Sequence, residues 1–245
     1  MIIELLNALQ VGLIYSLVSI AVYLTFRVID FADLTVDGSF MLVSAITGSL
    51  IVSGVNPILA SFISLIGGMT CGIITAYLNV KWNILSLLCG ILVMIFLYSV
   101  NLRIMGKPNI VLMDESTLFS GFTNPLIPLI FIIMSILMMM IFLLTSNYGL
   151  GIRAAGINKE MSKAYGINVN VVTFVVLAIS NGLIALSGSI FTQIYGFSDI
   201  SMGVGVITIG LANKVKQIVA GRDNKIPNFI PQFNVALYDF VSDLL

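Results

Sequence analysis

Charge is nearly absent from long stretches of this 245-residue chain, and that absence limits what it can fold into more than any motif does. A soluble domain carries roughly 25% charged residues; here 9% are charged and 59% are hydrophobic. The chain has too few polar side chains to cover a water-facing surface, so lipid must cover much of it. A helix crosses the hydrocarbon layer with about 20 apolar residues, which makes the charge-free tracts a map of spans. Leu5–Phe26 is one. Gly38–Val80 is too long for one and breaks at Gly54-Val55-Asn56-Pro57, a turn signal, giving two. Ile84–Asn101, Pro125–Thr145 and Val169 to about Tyr195 follow, and Ser201–Ala212 is a short, glycine-containing seventh that is re-entrant or tilted. The expected fold class is an all-α polytopic transmembrane helical bundle of about seven spans, with an inverted repeat and broken helices. Residues 1–212 form the membrane domain, and residues 213–245 form a polar tail.

Lysine and arginine set the orientation. With the N-terminus outside, the inner segments hold Arg27, Lys81, Arg153, Lys159, Lys163, Lys214, Lys216, Arg222 and Lys225, and the outer ones hold Arg103 and Lys107. That bias puts residues 148–168 in the cytoplasm. The first tract lacks a basic leader (Glu4 is its one early charge), so it reads as a retained span rather than a signal peptide.

Several function classes drop away. Net charge is zero, which argues against a nucleic-acid partner. Histidine is absent, which removes the commonest general base and His-based metal sites. No nucleophile–base pairing is visible, so no catalytic residue, metal site or directly bound cofactor is expected. Cys71 and Cys89 lie inside apolar runs without CxxC spacing and read as small buried residues. Gly68 with Gly72, and Ala178 with Gly182, put small residues on one helix face and permit close helix approach. Met138-Met139-Met140 reads as lipid-facing or core filler.

Two features remain. Tyr148 to Asn168 is a polar, helix-like segment between apolar runs, with a turn at Ile157-Asn158 and a short helix over Lys159–Tyr165. About two turns of helix are unstable alone in water, so the segment needs something to dock against. The second feature is an echo: Phe31-Ala32-Asp33-Leu34-Thr35-Val36 matches Phe197-Ser198-Asp199-Ile200-Ser201-Met202 by identity or conservative exchange. Five spans lie between the copies, so they face opposite sides of the membrane, as in an inverted repeat. Asp33, Thr35, Asp37 and Ser39 crowd the start of the second span. One reading is an ordinary cap accepting hydrogen bonds from free N–H groups. The other is a broken helix whose polar end lines or gates a solute path, with Asp199 and Ser201 as the opposite-facing counterpart. Asn181, mid-span, must face protein or water rather than lipid.

Three stretches carry a resemblance. Gly12-Leu13-Ile14-Tyr15-Ser16-Leu17, Asp33-Leu34-Thr35-Val36-Asp37-Gly38-Ser39, and Gly151-Ile152-Arg153-Ala154-Ala155-Gly156-Ile157-Asn158 continuing to Ala164 and Gly166-Ile167-Asn168 resemble the permease subunits of bacterial ABC importers of the branched-chain amino acid and ribose type. FADLTVDGSF with Gly106-Lys107-Pro108-Asn109 is most similar to a branch associated with aromatic amino acids such as tryptophan. The resemblance implies a translocation pathway formed by a permease dimer, most simply a homodimer, in the bacterial inner membrane. It implies a cytoplasmic ABC ATPase on the 148–168 loop, where Arg153, Ala154, Gly156, Asn158, Ala164 and Gly166 would couple the two. It also implies an extracytoplasmic solute-binding protein. The chain has no GxxxxGK[ST] phosphate loop, so ATP is expected on the partner and hydrolysis is not this chain's own activity. The likeness ends near residue 212. The polar stretch from Asn213 to Leu245 makes a truncated or frameshifted, inactive remnant one alternative. An ion-coupled secondary transporter or channel using Asp33, Asp37 and Asp199 is the other.

Overall fold

The structure, a computed structural model, describes residues 2–112, 115–121 and 124–211. The expected tail, residues 213–245, lies outside the described residues, as does Ala212. Six helices among the described residues are long and apolar enough to cross a membrane. They are α1 (Ile2–Tyr23, continued by a π-helical turn Leu24–Val28), α2 (Thr35–Val52), α3 (Pro57–Trp82), α4 (Ser86–Met105), α5 (Leu126–Thr145) and α8 (Val169–Tyr195), with α6 (Asn147–Ile157) and α7 (Lys159–Ala164) between the last two. The seventh tract begins as turns, and residues 206–211 are helical up to the end of the described chain. A small ribbon joins two connecting segments: β1 (Asn109–Val111) pairs antiparallel with β2 (Phe197–Asp199), Ile110 opposite Ser198.

The predicted turn between the second and third spans forms as its residues dictate. Asn56 caps α3 by accepting from the N–H of Ile58, and Pro57 occupies the first helical position, where a missing N–H costs nothing. Asn168 caps α8 by accepting from Val171 N–H. After the π-helical turn, Asp30 takes a left-handed conformation (φ 51°) and reverses the chain.

Helix α8 is the organising element. It packs on α3, α2 and α1, while α4 lies against α2. Lipid tails offer no hydrophobic drive for helix association, so close packing and polar contacts must hold the bundle. The small pair on α3 supplies the first: a Cβ on Gly72 would overlap the carbonyl oxygen of Leu177, and one on Gly68 would overlap Ala185. The two backbones touch where any larger residue would hold them apart. Helix α5 shows the opposite regime. Leu129, Ile133, Leu137, Met140 and Leu144 form its single buried stripe, while Phe131, Met138 and Phe142 are exposed. The methionine run is therefore both things at once, with Met140 in the core and Met138 and Met139 on the outside.

Candidate functional site

The chain between α1 and α2 turns back into the bundle before α2 starts. Asn181 marks the depth: it is the thirteenth of the 27 residues of α8, roughly 20 Å from either end at 1.5 Å per residue. Its amide reaches the first turn of α2 and the segment before it. Asn181 Nδ2 donates to Asp33 Oδ2 at 3.0 Å, and Ser39 Oγ donates to Asn181 Oδ1 at 2.6 Å. Thr35 donates both its backbone N–H (2.9 Å) and its hydroxyl to Asp33 Oδ1. Thr75 of α3 donates to Thr35 Oγ1 at 3.3 Å. Asp33, Thr35, Ser39, Thr75 and Asn181 are all fully buried. Four of the predicted pathway residues thus form one polar cluster between α2 and α8, at a helix start that lies inside the bundle. Irregular backbone survives at such depth where protein satisfies its polar groups.

Asp37 sits on the same turn of α2 but faces elsewhere. Its carboxylate accepts from Gly205 N–H at 3.0 Å and Ile207 N–H at 2.8 Å, capping the helix that begins at residue 206. The chain reaches that helix by running back along α2. Ser198 lies against Gly48, and Gly203 lies against Asp37, some eleven residues lower on α2. Each of the two echoed segments therefore turns back into the bundle and leads into a helix start.

Asp199 and Ser201 are not brought to the Asp33 cluster. They lie by the β-ribbon, partly or fully exposed, where Ser201 donates its N–H and hydroxyl to Asp199 Oδ1. Thr35 makes the same two bonds to Asp33. The echo in sequence is an echo in local geometry, buried in one copy and open in the other.

A second polar line escaped the sequence reading. Thr192 donates to Ser44 Oγ at 2.8 Å, and the Ser44 and Ser198 hydroxyls are 2.7 Å apart. Gln193 donates to Ser61 at 2.7 Å and accepts from Leu118 N–H at 3.1 Å, tying the α4–α5 connection to α8. The signal was present as hydroxyls and an amide three or four residues apart on single spans: Ser44 with Thr47, Ser61 with Ser64, and Ser189 with Gln193.

The 148–168 segment forms an elbow. Ser146 caps α6, and Asn158 caps α7 by accepting from Met161 N–H at 3.0 Å. Arg153 and Ala154 are half-buried on α6, whereas Asn158, Ala164 and Gly166 are exposed. Gly166 ends α7 at φ 83°. Gly156 faces inward: a Cβ there would overlap the carbonyl oxygen of Val28. Outward, the elbow shows Tyr148, Ile157, Met161 and Tyr165. Ile157, 87% exposed, is the largest departure from what water tolerates in a short polar connection.

The family model described as "Branched-chain amino acid transport system / permease component" matches residues 4–220. A tyrosine transport system permease protein of Clostridioides difficile (strain R20291) is 39% identical over 210 residues, covering 85% of this chain and 71% of the relative. An uncharacterized protein of Rickettsia prowazekii (strain Madrid E) is 37% identical over 230 residues, covering 92% of this chain and 80% of the relative. No solved structure matches.

Proposed function

The chain belongs to the family of permease components of branched-chain amino acid transport systems, and from that premise we propose that it is the membrane-spanning subunit of an ATP-driven bacterial importer of amino acids. The observation that carries the reading is the buried Asp33–Asn181–Ser39 cluster at a helix start inside the bundle. A polar break of this kind is what a solute path through helices requires. Asp33, Thr35, Ser39 and Asn181 line or gate that path. Asp37 holds the second re-entrant helix beside it, and Asp199 with Ser201 marks the opposite mouth.

The elbow of α6 and α7 is the surface for a separate cytoplasmic ATPase, where ATP is bound and hydrolysed. Tyr148, Ile157, Met161 and Tyr165 offer the few apolar anchors that a small interface needs. The N-terminus lies outside and the elbow inside, in the inner membrane. A second permease copy and an extracytoplasmic binding protein complete the assembly. This chain itself performs no chemistry.

Reconstitution tests the reading. The full-length chain and its co-purifying ATPase, in proteoliposomes with binding protein inside or outside as topology requires, should accumulate an amino acid only when ATP is present on the elbow side. Accumulation that ignores ATP and follows a proton or sodium gradient would make the protein an ion-coupled carrier instead.

A further inference from the structure

Asn101 is fully buried on α4, and neither polar atom of its amide has a hydrogen-bond partner among the described residues. An unpaired buried amide is costly, and a leucine of similar size would fill the place without that penalty. The residue sits in the stripe that packs on α2. Cys89, Val93, Leu97, Asn101 and Met105 are all buried and follow one another at every fourth position. The two helices run in the same direction. A Cβ on Gly38 would lie 3.0 Å from Met94 Cα and 3.2 Å from Leu97 Cδ1, and further along Ser49 Oγ donates to the Ile104 carbonyl at 3.3 Å. Asn101 lies between these two levels, about one turn short of Ser49.

A ridge with a four-residue repeat has more than one seat. Rows of residues four apart pack into the groove of a neighbouring helix. A slide of one turn, about 5.4 Å, lays the same row over the same groove with each residue moved on by one place. Toward the C-terminal end of α4, that slide makes two exchanges. Gly90, four residues before Met94, arrives opposite Gly38, so that glycine faces glycine. Asn101, three residues before Ile104, arrives at Ser49, whose hydroxyl is held here by one long bond. The three-residue connections at the ends of α4, 83–85 and 106–108, take up the movement. The bond from Asn79 Nδ2 to the Ile84 carbonyl, 2.8 Å here, is the one that must release.

We propose that α4 is a two-position ratchet on α2, and that Asn101 holds the second position by pairing with Ser49. In the arrangement described above the amide is idle, and its hydrogen bonds form only after the slide. The proposal goes beyond the transport reading by naming the helix that moves, its direction and the residue that stabilises the other state.

Double electron–electron resonance tests it, on the full-length chain lacking Cys71 and Cys89, in nanodiscs. The spin labels go on Leu102→Cys of α4 and Val171→Cys at the start of α8, both exposed. The ends of α4 and α8 meet at the ribbon, so the start of α8 lies at the opposite end of the bundle from Leu102. Two distances about 5 Å apart are expected, the longer one marking the slid position. Asn101→Leu and Ser49→Ala should each lower the long-distance population roughly threefold to tenfold. Asn101→Leu should also raise the thermal midpoint, because it removes an amide that has no partner in the resting position. A single distance, or two whose ratio Asn101→Leu leaves unchanged, overturns the ratchet. A lower midpoint in Asn101→Leu does so too, since an amide bonded to a trapped water would give that result. An effect of Asn101→Leu without one of Ser49→Ala overturns the pairing. Neither ATP nor solute enters the measurement, so its failure and the failure of ATP-driven uptake are separate results.

Discussion

At the Asp33 cluster one amide carries the tie between α2 and α8, and Asn181→Ala removes it. Asp33 Oδ2 then loses its donor, and Ser39 Oγ loses its acceptor. The Leu177 carbonyl also loses a bond from Asn181 Nδ2, at 3.1 Å, but keeps its place in the helix. Hydrogen bonds between membrane helices average about 0.6 kcal/mol and reach about 1.7. Leaving a buried acceptor unpaired costs about 1–3 kcal/mol, more when the group is charged. Two lost bonds, one of them to a buried carboxylate, thus come to about 2–4 kcal/mol. Ser39→Ala strips a single neutral donor and should cost about 1 kcal/mol. The order matters more than the values. Combining Asn181→Ala with Asp33→Asn should recover about 1 kcal/mol relative to the sum, because the acid that loses its donor in the first variant is already absent from the second. Unfolding in bicelles by steric trapping, with each variant made in the same chain, measures all three. If Asn181→Ala costs no more than Ser39→Ala, or adds simply to Asp33→Asn, the amide does not hold the carboxylate and the cluster is a set of separate local caps.

Further perturbations act elsewhere. Gly156→Leu should lower the yield of folded protein in detergent, because its side chain must displace the Val28 backbone; size-exclusion profiles matching wild type would contradict that. Ile157→Ser with Tyr165→Ser should leave the thermal midpoint unchanged and abolish ATPase co-purification, since both side chains are exposed. Asp37→Ala frees the N–H groups of Gly205 and Ile207, at a cost of about 1 kcal/mol, and should speed their amide exchange roughly fivefold while that of α8 stays constant. For orientation, Glu160→Cys in a chain lacking Cys71 and Cys89 should resist a membrane-impermeant maleimide applied outside intact cells and react in inside-out vesicles.

Spans and turns were legible because hydrocarbon is an unforgiving solvent. A tract that crosses it must be free of charge, and Asn56-Pro57 or Asn168 announce their helix starts by local chemistry. Asp33, Thr35, Ser39 and Asn181 were legible as polar exceptions, but not as one cluster: nothing across a separation of 142 positions states that Ser39 meets Asn181. The same holds for Asp37, whose partners at positions 205 and 207 are backbone groups and leave no mark in sequence. Gly156 was legible as part of the loop that the resemblance singles out, but its contact with the Val28 carbonyl is with backbone and leaves no mark in sequence.

The Gly156 contact has a mechanical consequence. At Gly156 the elbow meets the turn at Val28–Ile29 backbone to backbone, beside the packed side chains of Ile152, Val28 and Ile29. The contacted carbonyl belongs to the turn after α1, and three residues separate Ile29 of that turn from Asp33. Soft interfaces absorb displacement by rotamer changes; bare backbone against bare backbone behaves as a strut. A displacement of α6 at Gly156 therefore meets the Val28 carbonyl directly, with no rotamer of its own there to absorb it.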